Sequence, residues 1–194
     1  MSRIRKYRAV VMGVSAGGSR ALQMIVPGLP ENFPVPVVIV QHISPNSDGY
    51  FIRDLNSKSK IRVMEAIEKQ KATAGHVYFA PPNYHLMIEE DGSFSLAVNE
   101  RVNFARPSID VLFESAVCAW CPGLIGVILS GANNDGALGL KRIKQHGGYT
   151  IVQDPVSAEV DSMPKAAIAK CRVDRILRLE EMTPLLNSLV GEFI

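Results

Sequence analysis

The sequence predicts an α/β fold, a doubly wound, mostly parallel sheet with helices on both faces and one antiparallel hairpin insertion. Short apolar runs alternate with segments of helical periodicity along almost the whole chain, which is typical of parallel sheets. The run Val35–Gln41 is rich in β-branched residues, as expected for a strand buried on both faces. In the middle of the chain, two strand-like runs meet at Asp91-Gly92, which is a strong hairpin signal.

The first third of the chain alternates strands with helices. Ala9–Gly13 is predicted to be a buried strand, and the helix after it ends where Pro27 and Gly28 follow. The predicted elements are, in order, Ala9–Gly13 (strand), Ser19–Val26 (helix), Val35–Gln41 (strand), Asp48–Ser57 (helix) and Ile61–Ala66 (strand).

The middle of the chain is predicted to contain the hairpin. After a short strand at Val77–Ala80, the runs His85–Glu90 and Ser93–Val98 pair across the turn Glu90-Asp91-Gly92-Ser93. Glycine supplies the positive φ that such turns need.

The last third begins with the clearest helix, predicted to start at Pro107 because a first turn tolerates the missing N–H of proline. Its apolar residues form one stripe, made of Ile109, Leu112, Phe113, Ala116, Val117 and Trp120. The remaining predicted elements are Leu124–Leu129 (strand), Ala137–Gln145 (helix), Thr150–Gln153 (strand), Pro164–Ala169 (helix), Arg175–Leu179 (strand) and Glu181–Val190 (helix).

The composition fits one globular domain over residues 1–194, with 47% apolar and 21% charged residues. Twenty-one basic side chains against nineteen acidic ones leave a net charge of +2, which lacks the strong basic excess expected for nucleic-acid binding. The longest apolar runs, Val35–Val40 and Leu124–Leu129, are far shorter than the ~20 residues that cross a bilayer. No membrane insertion is therefore expected.

The cysteines Cys118, Cys121 and Cys171 are odd in number, which disfavours a disulfide framework and indicates a reducing compartment such as the cytoplasm. Cys118 and Cys121 form a C-x-x-C pair. A redox pair is expected at a helix N-terminus, whereas this one lies at the end of a predicted helix, and no second pair completes a zinc site. Packing in the core is the favoured interpretation, and a redox or metal function is the alternative.

The loop after the first strand, Gly13-Val14-Ser15-Ala16-Gly17-Gly18, contains a G-x-S-x-G pattern. Glycines around a serine permit the tight strand-to-helix turn that exposes a nucleophile. The same loop could cradle a phosphate, but the dinucleotide fingerprint needs a middle glycine and a later acidic residue, which are missing here. A serine-bearing turn that only caps the helix stays open as a third interpretation.

The second strand ends at Gln41-His42, which places a histidine beside the Ser15 loop if the two strands are neighbours. A lone histidine is more often structural. The other three histidines, His76, His85 and His146, are predicted to lie at the surface or at a helix end.

The strand Leu124–Leu129 leads into a loop that ends in Asn133-Asn134-Asp135-Gly136. These residues form a turn by themselves, which is the simplest explanation of the pattern. The functional alternative is that Asp135 orients His42, because ligands of such sheets bind beyond the carboxyl ends of the strands. The order serine, histidine, aspartate differs from that of α/β-hydrolases, but a triad is defined by geometry.

In combination, several motifs resemble the catalytic domain of chemotaxis-type protein-glutamate methylesterases over about residues 9 to 180. The matching stretches are Gly13–Gly18, Val40-Gln41-His42, Val77–Pro82, Arg106–Phe113, Gly126–Gly131, Asp135-Gly136-Ala137 and Met163–Ala167.

The resemblance implies a serine hydrolase that removes methyl esters from glutamate side chains on the cytoplasmic helices of chemoreceptors and also deamidates glutamines. It implies that Ser15 is the nucleophile, His42 the base and Asp135 the acid. No metal or organic cofactor is needed. Main-chain N–H groups of Ala16, Gly17 and Ala132 are expected to form the oxyanion hole.

Four residues depart from the family pattern. Ala16 replaces a threonine, Ala132 a methionine, Asn133 a glycine and Ser162 a glycine. Asn133 is expected to adopt the left-handed conformation that the glycine would have. The altered pair Ala132-Asn133 motivates the alternative function, a non-catalytic module that binds receptors or other proteins.

Family members commonly carry a receiver domain before the catalytic domain. Only eight residues precede the first predicted strand here. Regulation by a receiver domain is therefore expected to be absent, supplied by a separate protein, or removed by truncation.

Overall fold

The computed structural model describes residues 6–44 and 46–192, and the predicted fold class is confirmed. The strands are β1 (Ala9–Val14), β2 (Val37–Gln41), β3 (Arg62–Glu65), β4 (His76–Phe79), β5 (His85–Ile88), β6 (Phe94–Ala97), β7 (Leu124–Ile128), β8 (Tyr149–Gln153) and β9 (Arg175–Leu177). Seven of them form one sheet in the order β3-β4-β2-β1-β7-β8-β9, with every neighbouring pair parallel.

The helices divide between the two faces of the sheet. They are α1 (Gly18–Ile25), α2 (Tyr50–Lys58), α3 (Ile109–Trp120), α4 (Ala137–Gln145), α5 (Ser162–Lys170) and α6 (Leu179–Val190). Helices α1, α2 and α6 pack on one face, and α3, α4 and α5 on the other. Because side chains alternate along a strand, Val10 and Met12 face the first helical layer while Ala9 and Val11 face the second.

The predicted hairpin is confirmed as β5 and β6, a separate antiparallel pair that packs on the α3 face. The N–H of Gly92 donates to the carbonyl of Glu89, and Gly92 has a φ of 80°. The pairing ends sooner than predicted, at Ile88 on one strand and at Phe94 on the other.

The α3 stripe is confirmed, since all six of its predicted residues are buried. The predicted start at Pro107 is wrong. The helix begins at Ile109, and Ser108 is its N-cap, with the Ser108 hydroxyl accepting from the N–H of Val111 at 3.5 Å. A proline has no side-chain acceptor with which to cap a helix, whereas the serine next to it does.

The described cysteines form no disulfide. The prediction that the cysteines pack in the core is wrong for Cys118, which is exposed on α3. Cys121 and Cys171 are half-buried. Cys118 follows two buried stripe residues but points away from them, because the stripe covers only one side of the helix. Among the described residues, no helix combines the length and apolar character needed to span a membrane.

The sheet reverses its winding between β1 and β7. The helix after β1 packs on one face of the sheet, and the helix after β7 packs on the opposite face. A crevice therefore opens between the two connections at the carboxyl edge, which is where ligands of doubly wound sheets bind.

Candidate active site

The loop after β1 carries Ser15 into the crevice. The N–H of Ser15 donates to the carbonyl of Ser130 at 3.0 Å, which ties this loop to the one after β7. The N–H of Gly18 then turns back to the carbonyl of Ser15. Gly17, with a φ of 76°, makes the left-handed step that begins α1. The hydroxyl of Ser15 is therefore presented at the start of a helix.

His42 reaches the same crevice from β2, and its N–H donates to the carbonyl of Val14 at 3.0 Å. Its imidazole lies between two partners. Nδ1 is 3.2 Å from the Ser15 hydroxyl, and Nε2 is 2.8 Å from Oδ2 of Asp135. A carboxylate accepts only, so Nε2 carries the proton and Nδ1 of the neutral ring is free to accept from the serine.

Asp135 is fully buried, and its carboxylate accepts from five donors. Oδ1 accepts from the Ser108 hydroxyl at 2.8 Å, from the N–H of Asp110 and from the side-chain amide of Asn103. Oδ2 accepts from His42 and from the N–H of Ile109 at 2.7 Å. The first turn of α3 thus faces the carboxylate with N–H groups that have no partner within the helix and with the positive end of its dipole.

The electrostatics of Asp135 favour its charged form. Burial alone would raise the pKa of this carboxyl, but the hydrogen bonds from His42, Ile109, Asn103 and Asp110 lower it below its ordinary value. Asp135 therefore remains a carboxylate at neutral pH and can hold the Nε2 proton of His42.

A second buried carboxyl, Asp110, lies beside the first and behaves differently. The pKa of Asp110 is raised to about 6, because burial and the charge of Asp135 raise it by more than the hydrogen bond from the N–H of Gly139 lowers it. The side-chain amide of Asn103 bridges the two acids, with distances of 3.0 Å to Asp110 and 3.1 Å to Asp135. Neither Asn103 nor Asp110 is among the site residues predicted from the sequence.

The prediction that His85 lies at the surface is wrong, since it is 2% exposed behind α3. The N–H of Ser108 donates to Nδ1 of His85 at 3.2 Å, and Nε2 is 3.0 Å from the carbonyl of Glu100. Nδ1 accepts and Nε2 donates, so the ring is neutral. His85 thereby holds the backbone of Ser108, whose hydroxyl reaches Asp135.

The other two histidines agree with the prediction. His146 is exposed at the end of α4, and half-buried His76 starts β4. Neither makes a hydrogen bond to the three residues of the crevice.

Backbone N–H groups stand free near Ser15. Within the described part of the chain, the N–H groups of Ala16, Gly17 and Ala132 donate to no acceptor. The Ser130 hydroxyl donates to the carbonyl of Ala16 at 2.7 Å. Since the carbonyl and the N–H of one peptide point in opposite directions, this bond turns the N–H of Gly17 away from Ser130.

Asn133 does not adopt the left-handed conformation expected of it, and the left-handed residue of this loop is Gly136, with a φ of 89°. The side-chain oxygen of Asn133 instead accepts from the N–H of Asp135 at 3.1 Å. Asparagine makes such local turns readily. Its amide nitrogen lies 3.5 Å from Nδ1 of His42, so Asn133 borders the crevice.

The Met163-Pro164 stretch packs under the same loop. The N–H of Met163 donates to the carbonyl of Gly131, and a Cβ added to Gly131 would lie 2.3 Å from the Met163 side chain. Ser162 is the first residue of α5, next to this contact.

The model of the CheB methylesterase family matches residues 10–186 of this chain. A solved structure, the CheB methylesterase catalytic domain of Thermotoga maritima, superposes with a TM-score of 0.91 at 35% identity, and the match covers 95% of this chain and 99% of that one.

Two relatives are similar over nearly the whole chain. A protein of Leptospira interrogans is 54% identical over 183 residues, which are 94% of this chain and 95% of that protein. A protein-glutamate methylesterase/protein-glutamine glutaminase of Symbiobacterium thermophilum is 35% identical over 185 residues, 95% of this chain but 51% of that protein. The chain thus spans about half of the second relative.

Proposed function

The chain belongs to the CheB methylesterase family, and we propose that it hydrolyses glutamate methyl esters through Ser15, His42 and Asp135. The observation that supports this best is the unbroken line of contacts from the Ser15 hydroxyl to His42 Nδ1 at 3.2 Å and from His42 Nε2 to Asp135 at 2.8 Å. Such a line allows a proton to leave the serine as its oxygen attacks.

In the first half of the reaction, the Ser15 oxygen bonds to the ester carbonyl carbon and its proton passes to Nδ1 of His42. The carbonyl oxygen becomes an oxyanion, for which the free N–H groups of Ala16, Gly17 and Ala132 are the donors we assign. The tetrahedral intermediate then breaks its bond to the methoxy group, which takes the proton from His42 and leaves as methanol.

In the second half, water attacks the acyl-serine and gives one proton to His42. The bond to Ser15 breaks, its oxygen recovers that proton, and the glutamate carboxylic acid ionises. The carboxylate of Asp135 keeps the Nε2 proton in place throughout and stabilises the imidazolium that forms in each half.

The same steps deamidate glutamine, with ammonia leaving in place of methanol. Both activities appear in the name of the Symbiobacterium thermophilum relative. We propose both for this chain and assign them to the domain formed by residues 1–194.

The proposed substrates are the methylated cytoplasmic helices of chemoreceptors, and the proposed location is the cytoplasm. Three cysteines without a disulfide are consistent with a reducing compartment. Control by a separate receiver-domain protein stays a prediction of the resemblance.

The test uses purified protein and membranes that contain methylated chemoreceptor. We expect the wild-type protein to release methanol, and Ser15→Ala to lower the rate by about 10⁶-fold, the loss seen when a protease nucleophile is removed. Ser188→Ala, on an exposed part of α6, is the matched control and should keep full activity.

Labelling with a fluorophosphonate separates this proposal from a non-catalytic binding module. An activated Ser15 becomes labelled, and the label disappears in Ser15→Ala. A wild-type protein that is neither labelled nor active would contradict the proposed function.

A further inference from the structure

Phe104 is displayed to solvent beside the site in an unfavourable conformation. The residue is 96% exposed, and its φ of 63° lies in the left-handed region. The preceding residue, Asn103, has a φ of 50°. Backbone strain of this kind costs on the order of 1–3 kcal/mol per residue and persists where the surroundings impose it, most often at functional sites.

The surroundings of this loop are well defined. Val102 and Ala105 exchange two backbone hydrogen bonds across the turn that contains Phe104. Asn103 is anchored by its amide to Asp135 and Asp110. On the far side, the Arg106 guanidinium donates to the side chain of Asn83 and to two backbone carbonyls. The backbone position of Phe104 is therefore fixed, and its ring has no protein surface against it.

That place adjoins the proposed nucleophile. Phe104 lines a depression together with His42, Ile43 and Asn133. A second depression contains Ser15 and shares His42 and Ile43 with the first. A segment that lies over Ser15 and continues across His42 thus reaches Phe104.

The same depression carries an unpaired positive charge. Arg101 is exposed, and its guanidinium makes no ion pair or hydrogen bond with any part of the chain that the structure describes. An aromatic ring next to a free guanidinium fits a partner that offers both apolar and anionic groups.

We propose that Phe104 and Arg101 form a docking element for the substrate helix, with Phe104 packed on its apolar side chains and Arg101 paired with one of its carboxylates. The inference rests on the proposed function, because the occupant is the helix that carries the ester. Such a helix becomes more acidic with each ester hydrolysed, and carboxylates three or four residues from the ester lie on the same face as it.

The experiment compares a large and a small substrate. For wild type and Phe104→Ala, kcat/KM is measured on methylated receptor membranes and on p-nitrophenyl acetate, an ester that carries no helix to dock. We expect kcat/KM on receptor, divided by kcat/KM on the small ester, to fall about tenfold in Phe104→Ala, as it does when an aromatic side chain is removed from an interface. Arg101→Gln should weaken the dependence of the receptor reaction on salt concentration.

The matched control is Ile176→Ala, which removes an exposed apolar side chain from β9 at the edge of the sheet. It should leave the ratio at the wild-type value. If Phe104→Ala lowers kcat/KM equally on both substrates, Phe104 maintains the structure of the site and does not dock the helix, which overturns the inference. A second result would also overturn it. If wild type sediments as a dimer, Phe104→Ala sediments as a monomer and the ratio is unchanged, Phe104 contacts a second copy of the chain and not the substrate.

The two proposals fail in different ways. Wild-type protein that releases no methanol overturns the proposed function, and the inference falls with it. If wild type acts on receptor and Phe104→Ala is equally active on it, only the inference about Phe104 is overturned, and the proposed function stands.

Discussion

The two sides of His42 differ in how completely the protein surrounds them. On the acid side, Asp135 is fully buried and accepts from five donors. On the serine side, Ser15 is half-buried, and the described chain offers no acceptor to the neighbouring N–H groups of Ala16 and Gly17.

The difference indicates which charges are permanent. The carboxylate is present throughout the proposed reaction, so the fold can supply all its donors. An oxyanion exists only during the reaction, and donors reserved for it must stay unpaired in the resting protein. On the acid side, activity is therefore expected to depend on the chemical identity of the Asp135 side chain. On the serine side, it is expected to depend on the backbone geometry that presents the free N–H groups.

Among the substitutions that compare the two sides of His42, Asp135→Asn is expected to have the largest effect, because it replaces a carboxylate by an amide of the same shape. If the amide oxygen stays with the three donors at the Oδ1 position, its nitrogen faces His42 Nε2. The ring must then accept at Nε2 and carry its proton on Nδ1, where it cannot take one from Ser15. We expect kcat on methylated receptor to fall roughly 10⁴-fold.

The measurement is methanol release, with folding checked by circular dichroism. If the folded Asp135→Asn protein releases methanol at a rate within tenfold of wild type, Asp135 has no role in the proposed reaction, and the contrast between the two sides of His42 is wrong.

The next effect is expected from Gly17→Ala, which changes geometry on the serine side. An added Cβ would lie 2.6 Å from the Cβ of Glu159 and 2.7 Å from the Ser130 hydroxyl, at a φ of 76°. The peptide that presents the Gly17 N–H must move, and we expect kcat to fall by roughly 10²–10³, the cost of losing one oxyanion donor.

Gly49→Ala is the matched control. Gly49 also precedes a helix, with a φ of 71°, but its added Cβ meets only side-chain ends at 3.3 Å or more. It should lose about 1–2 kcal/mol of stability from backbone strain and retain activity. Equal activity in the two variants would argue against an oxyanion role for the Gly17 peptide.

The smallest effect concerns the second carboxyl of the acid side, Asp110. Its pKa is raised from 3.8 to about 6, so the folded protein binds this proton more tightly than the unfolded chain. The stabilisation is complete below pH 3.8 and is lost as pH rises through about 6, by up to about 3 kcal/mol. Asp110→Asn removes this dependence.

Urea unfolding of both proteins at pH 4.5 and pH 7.5 checks the prediction. The free energy of unfolding of wild type relative to Asp110→Asn should be lower at pH 7.5. The opposite order would mean that Asp110 is stabilised as an anion, as Asp135 is.

Local patterns predicted the strand ends that bring Ser15, His42 and Asp135 together. The glycines around Ser15 indicated a sharp turn, and β-branched runs marked the strands that end at His42 and before Asp135. Parallel pairing of β2, β1 and β7 then places all three at one edge.

The network behind Asp135 was not predictable in this way. It depends on where the N-terminus of α3 meets a loop 25 or more residues further along the chain, and periodicity carries no information about that distance. Ser108 could have been recognised as a cap from its position before the apolar stripe. Asp110, placed between Ile109 and Val111, resembles any polar residue of an amphipathic helix.

Four of the five donors to Asp135 come from residues 103–110, before β7, while Ser15 and the fifth donor, His42, follow the first two strands. The reactive geometry therefore exists only after early, middle and late segments have all docked. Hydrolysis of a chromogenic ester during refolding consequently reports the completion of the tertiary structure, and far-ultraviolet dichroism, which follows helix content, should recover before it.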